Sequence, residues 1–124
     1  LRSPWYTVYP DLGNLSAWGN DVERELEKGR GSIVAVHIKD TLAVTPTFEG
    51  KFKCVPFGTG CVDFVSCFRK LEELEYRGPY MIEMWNDPQK DNMAEIAAAK
   101  RFVEENYRKA MELIHAQKAG GTGK

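Results

Sequence analysis

Apolar and polar positions along this chain follow two rhythms. Short, nearly continuous apolar runs stand at residues 6–11, 33–38 and 80–84, and sequence with helical spacing follows each. Ile33-Val34-Ala35-Val36-His37-Ile38 is apolar almost throughout, as expected of a strand covered on both faces in a parallel sheet. The first helical stretch runs from Ser16 or Asn20 to Glu27. Asn20 or Asp21 can cap it, Glu23 and Glu25 suit its first turn, and Lys28-Gly29 suits its end. The second opens at Asp63, repeats Phe64, Cys67, Phe68 and Leu71 at helical spacing, and stops at Gly78-Pro79. The third spans about Asp91 to Gln117, with an apolar stripe of Ile96, Ala99, Val103, Tyr107, Met111 and Ile114. Leu12-Gly13-Asn14 reads as a loop. A longer loop, residues 41–60, holds Pro46, Gly50, Pro56, Gly58 and Gly60 and exceeds the usual connection, which marks it as functional or mobile. The βαβαβα order predicts an α/β fold with parallel strands and right-handed crossovers, over residues 1–118, with 119–124 as a flexible tail.

Alternation along a strand then sorts the side chains. Ile33, Ala35 and His37 fall on one face and Val34, Val36 and Ile38 on the other. Thr7, Tyr9 and Asp11 share a face, as do Met81 and Glu83. Asp11, His37 and Glu83 each stand at the end of an apolar run. Ligands and catalytic groups gather at the C-terminal ends of parallel strands. Two carboxylates and an imidazole, one per strand end, are a suitable ligand set for a divalent metal, zinc or manganese. In a β/α barrel the face bearing them would look inward and the apolar face would meet the helices.

Composition narrows the functional classes. With 17 basic and 18 acidic side chains the net charge is −1, which provides no electrostatic footprint for nucleic acid or an anionic membrane. No apolar run approaches the roughly 18 residues of a membrane span. No signal peptide is visible, so a cytoplasmic setting is expected. The chain opens on Leu1 rather than Met, which leads us to expect a fragment or a processed chain. Cys54, Cys61 and Cys67 form no CxxC pair, so free thiols are expected.

Four stretches carry a family resemblance: Tyr9-Pro-Asp-Leu-Gly-Asn-Leu-Ser-Ala-Trp18, Ala35-Val-His-Ile-Lys-Asp40, Val55-Pro-Phe-Gly-Thr-Gly60 and Ile82-Glu-Met-Trp85. In this order they resemble the L-ribulose-5-phosphate 3-epimerases, also called L-xylulose-5-phosphate 3-epimerases, within the xylose-isomerase-like TIM barrels. The resemblance implies that the chain is the last three βα units of a (β/α)8 barrel, left incomplete here. It implies that Asp11, His37 and Glu83 are three of four metal ligands. The fourth, a glutamate on an earlier strand, has no counterpart in this chain. The loop from Thr41 to Lys53 is longer than its family counterpart.

The chemistry implied is epimerisation at C3 of a ketopentose phosphate through an enediolate, with one acid/base on each face of the sugar. Glu83 would serve one face, and the other group is absent here. Asn14 could bind a sugar hydroxyl or act as a turn residue of positive φ beside Gly13. Lys39 could meet a substrate oxygen, balance the carboxylates or stay solvated. Asp40 could orient a neighbour or cap the loop. Gly58-Thr59-Gly60 could receive phosphate on its amides or form a plain turn. Trp18 and Trp85 suit either a site wall or core packing. Two other readings are an abasic-site endonuclease-like metal enzyme, against which the absence of a basic stripe weighs, and a non-catalytic fragment. Three parallel strands cannot close a barrel. Self-association into a homo-oligomer, or the final helix folding over the open face, is therefore expected to cover Thr7, Tyr9, Ile33, Ala35 and Met81.

Overall fold

The computed structural model describes residues 3–121. Its sheet is built from β1, Val36–Ile38, and β2, Tyr80–Ile82, which run parallel with Val36 opposite Tyr80, His37 opposite Met81 and Ile38 opposite Ile82. The backbone N–H of Glu83 donates to the Ile38 carbonyl at 2.9 Å and carries the ladder just beyond β2.

The first apolar run does not become a strand. It lies beside the second as two isolated parallel bridges, Val8 with Ile33 and Asp11 with His37. Pro10 has no N–H to give a ladder, and Asp11 is already the cap of a helix, so pairing cannot extend. The spacing of these contacts also corrects the facing expected from strict alternation. Val34 N–H donates to Val8 and His37 N–H donates to Pro10, at 3.1 and 2.9 Å. The donors are thus one residue further apart than the acceptors. The extra residue is a β-bulge, and it reverses the alternation. Ile33 consequently packs toward the core with Val36 and Ile38, and Val34 is half exposed.

Residues 12–14, read as a loop, form the first turn of α1, Leu12–Ala17. The Asp11 Oδ1 accepts the Asn14 N–H at 2.8 Å, which satisfies one of the free donors at the helix start. Asn14 is therefore helical and not in the left-handed region. Asp21 caps α2, Val22–Lys28, by accepting from Arg24 N–H, and Asp63 caps α3, Phe64–Glu73, by accepting from Ser66 N–H. Asp91 accepts from Met93 and Ala94 N–H at the start of α4, Asn92–Gly121. That helix continues through Gly121, into the segment read as a tail, whose last residues lie outside those described.

The helices cover one face of the sheet. Leu12, Leu26, Val36, Ile38, Phe68 and Leu71 are buried together, and each such side chain contributes roughly 1.5–3 kcal/mol of transfer free energy. Phe68 meets Tyr80 and Tyr107 edge-on, both at 5.5 Å between ring centres. From α4, Phe102, Val103 and Met111 pack on this cluster, with Ala99 and Ala110 buried, whereas Ile96 is half exposed. The final helix therefore lies on the helical side and does not fold over the other face. There, among the described residues, Thr7, Tyr9 and Met81 are exposed. The architecture is an incomplete β/α barrel. No helix among the described residues is long and apolar enough to cross a membrane.

Candidate metal centre

Asp11, His37 and Glu83 converge. Each offers a ligand atom, and these atoms lie within 4.8 Å of one another. The His37 Nδ1 is 3.2 Å from Glu83 Oε2 and 3.9 Å from Asp11 Oδ2. Two donors on one ion with bonds of about 2.1 Å stand about 3.0–3.4 Å apart at octahedral or tetrahedral angles; the His37–Glu83 spacing matches this, and the 3.9 Å between His37 and Asp11 needs a shift of about half an ångström to share a divalent cation. All three groups are half-buried, which lets them be reached without being fully solvated. Among the described residues no other group of His, Cys, Asp and Glu has this property. The three cysteines take no part and are free thiols.

Local structure explains how each ligand is aimed. The carboxylate of Asp11 splits its duties: Oδ1 caps α1, while Oδ2 turns to the centre. His37 is central in β1, and its imidazole lies 4.2 Å from the ring of Tyr9, a contact that alternation alone did not reveal. Glu83 follows β2 and is held by its N–H to Ile38.

Lys39 belongs to the same cluster. Its ammonium stands 3.1 Å from Asp11 Oδ2 and 3.4 Å from Glu83 Oε1, with only 9% of the side chain exposed. Gly13 makes room for it, since a Cβ there would come within 2.6 Å of Lys39 Cγ. That is the packing reason for glycine inside the first turn of α1, and nothing in the spacing announced it. Asn14 is exposed on the same turn and, with Tyr9 and Asp11, lines a groove of about 440 Å³ along the open edge.

Asp40 caps the long loop. It is buried, and its Oδ2 accepts the N–H groups of Gly58 and Gly60, both at 2.9 Å, while Oδ1 accepts from Thr41. The amides of the Gly58-Thr59-Gly60 turn that could have received phosphate are thus satisfied within the chain, those of Gly58 and Gly60 by the Asp40 carboxylate and that of Thr59 by the Pro56 carbonyl. Gly60 has no space for a Cβ against Asp40 and the Thr41 carbonyl. The loop is less irregular than its length suggested: Leu42 bridges Lys51 and Thr45 bridges Phe48, both antiparallel. Trp18 and Trp85 are exposed rather than in the core. Trp18 lies near the ring of Phe52, and Lys53 sits 3.8 Å above the centre of Trp85.

Known proteins resemble this chain in sequence and fold. The family model described as xylose isomerase-like TIM barrel matches residues 1–116. The chain is 54% identical over 110 residues to SgbU of Escherichia coli (strain K12), an overlap of 89% of this chain and 38% of that protein. It is 52% identical over 110 residues to the L-ribulose-5-phosphate 3-epimerase UlaE of Escherichia coli (strain K12 / DH10B), covering 89% and 37% of the two chains. The chain thus spans less than two-fifths of the length of these relatives. The solved structure of an L-ribulose 3-epimerase superposes with a TM-score of 0.72 at 20% identity, over 98% of this chain and 42% of that one. At that identity the likeness is one of fold.

Proposed function

The chain belongs to the xylose isomerase-like TIM barrel family, and on that premise we propose that the protein is a metal-dependent 3-epimerase of ketopentose phosphates. It would interconvert L-xylulose 5-phosphate and L-ribulose 5-phosphate, with this chain supplying part of the site. The carrying observation is the convergence of Asp11, His37 and Glu83 within a segment 52% identical to UlaE.

The hydrogen on C3 is removable because the pair of electrons it leaves spreads onto the neighbouring C2 carbonyl as an enediolate. Return of a proton to the opposite face inverts the centre. Glu83 is suited to one face: its two carboxylate oxygens are held between Lys39 and His37, so its orientation is set before a sugar arrives. Asp11, His37 and Glu83 would hold a divalent ion, zinc or manganese by their donor types. Such an ion, when bound, supplies Lewis-acid stabilisation of the negative charge developing beside the carbonyl. Under this reading the second acid/base and a fourth ligand come from another segment. Under the same reading Asn14 and Lys39 would meet substrate oxygens. A sugar phosphate does not cross a membrane unaided, so a cytoplasmic location belongs to the same reading. So does self-association through the open sheet face.

The test is exchange of the C3 proton of L-ribulose 5-phosphate in D2O, followed by NMR with the full natural protein. Glu83→Gln should slow exchange about 10²–10⁴-fold, the range for removing a general acid/base. Exchange close to the unmodified rate would remove Glu83 from the reaction.

A further inference from the structure

We propose that Lys39 is a tethered counter-cation that competes with the divalent ion for Asp11 and Glu83, and so sets how tightly the centre holds that ion. The inference rests on the metal-centre reading above and adds a residue that opposes binding.

The geometry is specific. The Lys39 ammonium contacts Asp11 Oδ2 at 3.1 Å and Glu83 Oε1 at 3.4 Å, which are carboxylates of two of the three ligands. Lysine is rarely buried without a charged partner, and here only 9% of the side chain is exposed. The stem passes close to Gly13: an added Cβ there would lie 2.6 Å from Lys39 Cγ and 2.8 Å from its carbonyl oxygen. Gly13 is in the first turn of the helix that Asp11 caps, so one element both aims a ligand and leaves room for its competitor.

With Nζ 3.1 Å from Asp11 Oδ2, an ion at about 2.0–2.2 Å from that oxygen would lie no more than about 5.3 Å from Nζ unless the ammonium moved. Like charges that close repel, and more strongly at a site sheltered from water. Binding the ion therefore requires the ammonium to leave the carboxylates. The ammonium also helps hold the two carboxylates together, which favours binding. A dication draws them together more strongly than a single ammonium can, so loss of repulsion outweighs loss of this prearrangement. Once displaced, the tethered ammonium remains beside the centre, where an anionic oxygen of a bound sugar would be its next partner.

The experiment is calorimetric titration of Mn²⁺ into the full natural protein, unmodified and as Lys39→Met and His37→Ala. Lys39→Met should bind Mn²⁺ about tenfold or more tightly than the unmodified protein, and His37→Ala should lose binding. Unchanged or weaker binding by Lys39→Met, with binding lost in His37→Ala, overturns the role of Lys39 alone. Unchanged binding by His37→Ala overturns the metal centre itself. Should Lys39→Met fail to fold, the unmodified protein answers the question through amine labelling read by mass spectrometry. Mn²⁺ should raise labelling of Lys39 several-fold as the ammonium leaves its carboxylates, and labelling that stays level or falls overturns the proposal.

Discussion

The two faces of one small sheet obey different rules. On the helical face Val36 and Ile38 are fully buried beneath α1, α3 and α4, and Phe68 fills the space between Tyr80 and Tyr107. On the other face His37, Met81 and Glu83 alternate with them along the same strands, yet Met81 is 54% exposed, and His37 and Glu83 pair with each other at 3.2 Å beside the ring of Tyr9. One face is held by removal of apolar area from water, which needs no particular partner geometry. The other is held by the ion pairs of Lys39 with Asp11 and Glu83 and of His37 with Glu83, which depend on the placement of each partner. Stability therefore resides on the first face and the proposed chemistry on the second, and substitutions should separate accordingly.

The largest expected effect is on the polar face, where Glu83→Gln should nearly remove C3 proton exchange. Loss of the native fold in that variant would show instead that the two faces are not separable. Phe68→Ala should produce the largest effect on stability, about 3–5 kcal/mol by urea denaturation, because a buried aromatic leaves a cavity that its neighbours cannot fill. A loss below 1 kcal/mol would mean that the helical face is not the foundation described here.

A smaller, pH-dependent effect comes from the same face. Burial on the inner side of α3 pushes the Cys67 thiol from 9.0 up to about 12. Between those values the unfolded chain releases a proton that the folded chain keeps. Stability should therefore be fully present below pH 9 and fall as pH rises toward 12, with a slope of up to about 1.4 kcal/mol per pH unit from this group. Tyr80, raised chiefly by burial, adds to the decline in the same direction. Thermal melts from pH 8 to 10.5 should show the decline, and Cys67→Ala should make it shallower. The smallest effect is expected at Met81→Ser, with stability changed by less than about 0.5 kcal/mol, as for an exposed site. Sedimentation should nonetheless show weaker self-association, since Met81 lies on the uncovered face. Unaltered association would shift attention to the sheet edges.

Much of this arrangement was legible in the residues. The period of Phe64, Cys67, Phe68 and Leu71 announced α3, and Asp21 and Asp63 stood where caps belong, because helix signals are local and depend on neighbours three or four positions away. Asp11, His37 and Glu83 were legible as strand-end groups because parallel strands bring their C-terminal ends together. The bulge between Val34 and His37 was not legible. It depends on which carbonyls of residues 8–11 are available across the gap: those of Val8 and Pro10 accept Val34 and His37, while that of Asp11 is committed to Leu15 in α1. Asn14 read as a turn residue because Gly13 is poor in helices. Its neighbour is glycine for a tertiary reason, the close passage of Lys39.

The chain's own order of apolar and polar residues determined α2, α3 and α4, the parallel direction of the sheet and the three ligand candidates, since these follow from short-range periodicity and from the direction of strands. Only the tertiary structure decided that Ile33 turns to the core, that Asp40 fills the amide cradle of the Gly58-Thr59-Gly60 turn, and that Lys39 shares the oxygens of Asp11 and Glu83. Those outcomes depend on contacts between residues far apart in sequence, where close packing and charge choose among partners that local pattern leaves equivalent.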